Sequence, residues 1–159
     1  MPIAVCPGSF DPITLGHLDI VERSTYIYDK VVVGIADNPV KKALFSLDER
    51  VAMVKDAVSG LGNVAVAPFH GLLVEFAKGN GAQVIIKGLR AISDFEHEFQ
   101  MAHLNKKLDG SVETVFMMAS PEYMFLSSSA VKEIAAFGGD LTGLVAETTA
   151  ARLERKLQE

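Results

Sequence analysis

Short apolar runs alternate with amphipathic stretches along nearly the whole of this 159-residue chain. Five runs, Ile3–Cys6, Val31–Ile35, Val64–Ala67, Val84–Ile86 and Val112–Met118, have the length and composition of buried strands. Pro7-Gly8 is expected to stop the first, Pro68 the third, and Ala119-Ser120-Pro121 the fifth. Between the runs the periodicity turns helical. An amphipathic segment, Leu18 to Arg23, follows Thr14-Leu15-Gly16-His17. Ser46-Leu47-Asp48-Glu49 fits a capping box and predicts a helix to about Ser59. Gly71-Leu72 leads into a short helix closed near Gly79-Asn80-Gly81. Ser93-Asp94-Phe95-Glu96 is a second capping box, opening a longer helix to roughly Leu108. Ser127-Ser128-Ser129 precedes a helix over Ala130–Phe137 that Gly138-Gly139 stops, and Leu144–Leu157 reads as a final helix.

Strands and helices in this alternation predict an α/β fold, a single doubly wound domain over residues 1–159. Five parallel strands in the order 3-2-1-4-5, covered by helices on both faces and followed by C-terminal helices, put the topological switch between the first and fourth strands. Ligands of such sheets bind beyond the carboxyl ends of the strands at that switch. Those ends carry the least core-like sequences of the chain, Gly8-Ser9-Phe10 with His17, and Lys87-Gly88-Leu89-Arg90.

Composition narrows the reading further. With 49% hydrophobic and 22% charged residues the chain is ordinary globular protein. A net charge of −5 argues against a general nucleic-acid binder and against a binder of anionic membranes. Cys6 is the sole cysteine, so there is no intrachain disulfide, and a small buried hydrophobe is the expected role. No run approaches the ~18 apolar residues of a membrane span. The first residues lack the form of a signal peptide. A soluble cytoplasmic protein is expected.

Candidate chemistry gathers at the switch. A strand, a glycine turn and a helix start aim backbone N–H groups and a positive helix end at one spot, which suits an anion. Thr14 and His17 share a face of the first helical turn there. The positive helix end disfavours an imidazolium, so His17 is expected to be a neutral donor. Ser9 adds a hydroxyl, Lys87 a point charge and Arg90 a planar fork matched to phosphate oxygens. Of the loop pair Lys41-Lys42, position alone does not say which one matters. Ser127, Ser128 and Ser129 form a second helix-end anion site, and Tyr123 and Phe125 before it could flank a base. The phosphate loop of ATPases, the G-x-G-x-x-G turn and the H-E-x-x-H zinc motif are all absent.

The block PGSFDPITLGH resembles the T/H-x-G-H nucleotidyltransferase superfamily of Rossmann-like proteins, and bacterial phosphopantetheine adenylyltransferases in particular. The Asn38-Pro39 loop with Lys41, IIKGLRAISDFEHEFQMAHLN and YMFLSSSAVKE extend the resemblance over nearly the whole chain. It implies transfer of AMP from ATP to 4′-phosphopantetheine, giving dephospho-coenzyme A and pyrophosphate in the penultimate step of coenzyme A synthesis. Carried over by position, Ser9, Phe10, His17, Gly88, Leu89, Arg90, Glu98, Tyr123, Met124, Phe125, Leu126, Ser127, Ser128 and Ser129 would contact ATP. Ser9, Lys41, Leu73 and Lys87 would contact phosphopantetheine, and His17, Lys41, Arg90 and Ser128 would act in catalysis. The resemblance further implies magnesium, a homohexamer and coenzyme A as feedback ligand. Many members have threonine in place of Ser9 and arginine in place of Lys87, which keeps the hydroxyl and the charge.

Two alternatives stand beside this reading. A sister nucleotidyltransferase acting on nicotinamide mononucleotide or glycerol phosphate would use the same His17 chemistry. A non-catalytic nucleotide-binding regulator would keep Gly8 and the helix ends without needing His17, Lys41 and Arg90 together.

Overall fold

The computed structural model describes residues 2–90 and 92–159, with side chains at all of these except 92–94. Five strands, β1 (Ile3–Gly8), β2 (Lys30–Ala36), β3 (Val64–Phe69), β4 (Val84–Leu89) and β5 (Glu113–Met118), form one sheet. It is parallel throughout, in the order β3-β2-β1-β4-β5. The helices are α1 (Leu15–Thr25), α2 (Leu47–Ala57), α3 (Leu73–Gly79), α4 (Ile92–Leu108), α5 (Ser128–Ala136) and α6 (Glu147–Gln158). A short 3₁₀ turn spans Pro121–Tyr123.

The two-residue period of the central strands divides the core. Val31, Val33 and Ile35 of β2 face one buried cluster with Met53 and Val54 of α2 and Leu153 of α6. Val5 and Val32 face the other, with Val74 and Ala77 of α3. Burial on both faces is why these strands read as unbroken apolar runs rather than alternating ones.

Sheet order and the placing of every strand and helix follow the sequence expectation, and the differences lie at the ends. β1 runs through Pro7 and Gly8 instead of stopping at Cys6. Its pairing with β4 covers only Ala4↔Val84 and Val5↔Ile85, so the donor missing at Pro7 breaks no ladder on that side. β3 likewise continues through Pro68, because it is an edge strand, where proline is tolerated. β4 carries on through Lys87 and Gly88 to Leu89, paired with β5 over its full length. The Ser46–Glu49 capping box is formed, with Glu49 N–H to Ser46 Oγ at 3.2 Å and Ser46 N–H to Glu49 Oε2 at 2.7 Å. The box expected at Ser93 falls outside the described side chains. α5 begins at Ser128, two residues early, with Ser127 as its cap, and α6 begins at Glu147, three residues late. Leu144 is instead used outside a helix. Its carbonyl accepts the Leu15 N–H at 2.8 Å and so caps the first turn of α1.

Gly88 sets how closely α1 lies on β4. A Cβ at that position would meet Ile20 Cγ1 at 2.9 Å, too close for unstrained packing. Gly88→Ala should therefore lower stability by roughly 1–3 kcal/mol. In a denaturation cycle with Ile20→Ala, the double variant should lose less than the sum of the two single losses.

Candidate active site

Past Val5 and Ile85, β1 and β4 separate. A cavity of about 460 Å³ opens between their carboxyl ends, with Cys6 and Ile86 in its floor. The Cys6 thiol is buried and its pKa is pushed up to about 12 by that burial, so it is an inert floor residue.

The turn from Ser9 to Thr14 forms one wall, and its conformation is held from several sides. Phe10 lies at φ +49°, a left-handed backbone that a bulky residue adopts only when its surroundings impose it. The Asp11–Pro12 peptide is cis. Asp11 is buried and accepts the N–H groups of Phe45 and Leu44, each at 2.9 Å, and Lys132 Nζ of α5 at 3.0 Å. Burial pushes its pKa up, but those two N–H groups and the ammonium outweigh it and hold the carboxyl below its ordinary value. Arg50 of α2 donates through Nη1 to the carbonyls of Ser9, at 2.8 Å, and Ala36, at 3.0 Å. Ser128 Oγ of α5 donates to Pro12 O at 2.7 Å. Three elements beyond the turn thus lock it.

His17 is the N3 residue of α1 and completes a capping box with Thr14. The Thr14 N–H donates to His17 Nδ1 at 3.0 Å, and the His17 N–H donates to Thr14 Oγ1 at 3.3 Å. A ring nitrogen that accepts from a backbone amide carries no proton, so neutral His17 is the Nε2–H tautomer, with one donor left over. The ring packs edge-on to Phe10, centroids 5.1 Å apart. Burial, and then the charge of Arg90, lower its pKa to about 4. The expected neutral donor is thus present, by a different route from the one expected. The first N–H groups of α1 are largely used within the molecule, by Thr14 Oγ1 and by Leu144 O, so they do not present a bare positive end.

The open helix end is that of α5. Ser127 Oγ accepts from Ala130 N–H at 3.1 Å. The N–H groups of Ser128 and Ser129 have no protein partner among the described residues, and Ser127, Ser128 and Ser129 all line the cavity. Lys41, Lys42, Lys87 and Arg90 line it too. Arg90 donates to Leu126 O at 3.0 Å, which ties β4 to the loop before α5. Lys87 is paired with Glu98 of α4 at 3.2 Å. Two residues that the resemblance assigned to different substrates therefore hold each other.

Thirteen of the seventeen candidate residues meet in this one cavity: Ser9, Phe10, His17, Lys41, Lys87, Gly88, Arg90, Glu98, Tyr123, Leu126, Ser127, Ser128 and Ser129. Four do not line it. Leu89 is buried, Leu73 packs on the cluster below α3, and Met124 and the exposed Phe125 sit in the loop before α5. The sequence reading missed Asp11, Arg50 and Lys132. Arg50 carried a legible sign, a cation at helical spacing with Met53 and Val54 on the apolar face of α2.

A family model for cytidylyltransferase-like proteins matches residues 5–134, and the chain belongs to that family. Within it, the chain is 55% identical over 159 residues to the phosphopantetheine adenylyltransferase of Carboxydothermus hydrogenoformans, covering 100% of this chain and 98% of that one. It is 53% identical to that of Caldanaerobacter subterraneus, over 100% of this chain and 99% of the relative. With that of Clostridium tetani it shares 58% over 91% of each chain. At this identity over whole chains, its place is among the phosphopantetheine adenylyltransferases.

The His17 environment has a measurable consequence. The unfolded chain takes up this proton near pH 6.5 and the folded one near 4. Between those values only the unfolded state is protonated, so His17 makes stability fall as pH drops through that window. A ¹⁵N-edited histidine titration should show a neutral Nε2–H ring with its inflection near 4, well below the ordinary histidine value.

Proposed function

We infer that the chain transfers the AMP moiety of ATP to 4′-phosphopantetheine, giving dephospho-coenzyme A and pyrophosphate, the penultimate step of coenzyme A synthesis. The observation that carries the reading is the meeting of His17, Lys41, Lys87, Arg90 and the α5 N-terminus around one cavity. A terminal phosphate of the acceptor attacks the α-phosphorus of ATP. A P–O bond forms, the bond to the bridging oxygen breaks, and pyrophosphate leaves with the electron pair. The nucleophile is already an anion, so no base is needed. What lowers the barrier is in-line positioning and donors aimed where charge grows.

His17 suits that work because it is held as a neutral donor. Its Nε2–H would meet the α-phosphate oxygens without having to give up a proton. The free N–H groups of Ser128 and Ser129, with Arg90, would take the β- and γ-phosphates, and Lys41 would steady the α-phosphate from the facing loop. Lys87 would receive the acceptor's phosphate, exchanging Glu98 for it. Glu98, once released, would be free to contact the nucleotide.

Among the described residues no three His, Cys, Asp or Glu side chains gather as a metal cage. Magnesium in this reading is held mainly through the ATP phosphates. When bound there it neutralises charge on the leaving pyrophosphate. Homohexameric assembly belongs to the same proposal. It is supported by large apolar side chains left exposed on α4, among them Phe99, Leu104 and Leu108, and by the exposed Met118 of the edge strand β5. Coenzyme A as feedback ligand and a cytoplasmic location complete the proposal. No helix of the described residues is long and apolar enough to cross a membrane.

Pyrophosphate release from ATP with a panel of acceptors tests the reaction. 4′-Phosphopantetheine should support turnover that a chelator abolishes. Nicotinamide mononucleotide and glycerol phosphate should not, and turnover with either would move the chain to a sister activity. His17→Ala should lower kcat by about 10²–10³ with ATP affinity much less changed. Near-normal kcat would remove His17 from the mechanism.

Lys87 makes a separate prediction. A hydrogen bond to a charged group is worth about 1.5–3 kcal/mol, so Lys87→Ala should raise the acceptor KM on the order of tenfold or more. Lys87→Arg should keep most activity. Unphosphorylated pantetheine is the control: equal losses for both acceptors would show that Lys87 does not read the phosphate.

A further inference from the structure

Arg50 is the only buried lysine or arginine among the described residues, 5% exposed. Among the described residues it has no carboxylate within ion-pair reach, and its buried Nε has no partner. A buried cation without a counter-anion is costly, and packing alone would not call for one at this position of α2. The charge is therefore retained for something other than cohesion.

Its contacts say what that is. Nη1 grips two carbonyls, Ser9 O at the end of β1 and Ala36 O at the end of β2. In a trans peptide the C=O and the following N–H point to opposite sides. The Ser9 carbonyl, drawn onto Arg50, therefore turns the Phe10 N–H away from it. That N–H has no partner among the described residues, and Ser9 and Phe10 both line the cavity. Phe10 itself, next to this peptide, holds the left-handed φ noted above.

We propose that Arg50 is a positioning residue for polyphosphate binding: it fixes the Ser9–Phe10 peptide so that the Phe10 N–H donates to a phosphate of the nucleotide. Its uncompensated charge, directly behind that peptide, strengthens the donor. The anion's identity as a polyphosphate rests on the adenylyl-transfer reading.

The test uses the full chain labelled with ¹⁵N-phenylalanine and inorganic pyrophosphate as probe. In the unaltered protein the Phe10 amide should shift as pyrophosphate saturates. Arg50→Met should bind pyrophosphate about tenfold or more weakly, the loss expected for a hydrogen bond to a charged group, and its Phe10 amide should stop responding. Arg50→Lys keeps the charge but not the two-carbonyl grip, and should fall between the two.

A Phe10 amide that saturating pyrophosphate leaves unmoved in the unaltered protein overturns the inference. So does an Arg50→Met protein whose pyrophosphate affinity stays within about twofold of the unaltered protein, whatever its melting temperature, because a purely structural arginine would change only the latter. If Arg50→Met does not fold, an Arg50→Lys protein with unaltered affinity and amide response overturns it. A protein that binds pyrophosphate with these responses and transfers no AMP would sink the functional reading alone.

Discussion

β1 is bonded to β2 along all six of its residues but to β4 only at Ala4 and Val5, and that imbalance is what makes a cleft. Two parallel strands paired to their ends would close the sheet over the space that the ligand needs. Here the chain leaves β1 toward one face and β4 toward the other, so the strand ends diverge and their backbone groups look into the gap. The residues beyond the last shared pair suit that divergence. Pro7 lacks a donor on a side where none is wanted, and Gly88 leaves room for Ile20 so that α1 can lie low across the opening. Every functional element is then brought in by the nearest helix or loop.

The second constraint is charge. The chain as a whole carries −5, yet Lys41, Lys42, Lys87, Arg90, Lys132 and Arg50 line one cavity together with Asp11 and Glu98. Those two carboxylates are spoken for by Lys132 and Lys87, at 3.0 and 3.2 Å. What remains is a concentrated positive field in an acidic protein, which draws in polyanions and discourages neutral competitors. The same cations would repel one another if the cavity were dry. The internal ion pairs and the carbonyl contacts of Arg50 and Arg90 hold these cations in one small volume.

Much of this architecture is legible in the amino-acid sequence. Strand order followed from the doubly wound fold that alternating runs imply, and many of the thirteen candidates share the cavity because they sit just past carboxyl ends of strands or at helix starts. Sequence logic failed where a residue's partner is distant. Nothing local to Asp11 shows that its carboxylate will gather Leu44, Phe45 and Lys132 from 33, 34 and 121 residues away. Nothing local to Leu144 shows that it will cap α1. Proline misled in the opposite sense, because its meaning depends on which neighbour a strand has, and Pro7 and Pro68 both lie where a missing donor is harmless. Leu73, at the head of α3, packs its partly buried side chain against the smaller cluster, as its apolar character suggests.

The Thr14–His17 capping box has an implication for how the residue persists through evolution. The nitrogen that sets the proton on the other side of the ring also satisfies the first turn of α1. Losing the histidine would unfasten a helix end as well as remove a donor, at a cost typical of a lost cap, roughly 1 kcal/mol. Selection for a folded chain alone would thus tend to preserve it after turnover had been lost. In a descendant of this protein, an intact Thr14-x-x-His17 would testify first to the helix, and only together with Lys41, Lys87 and Arg90 to the reaction.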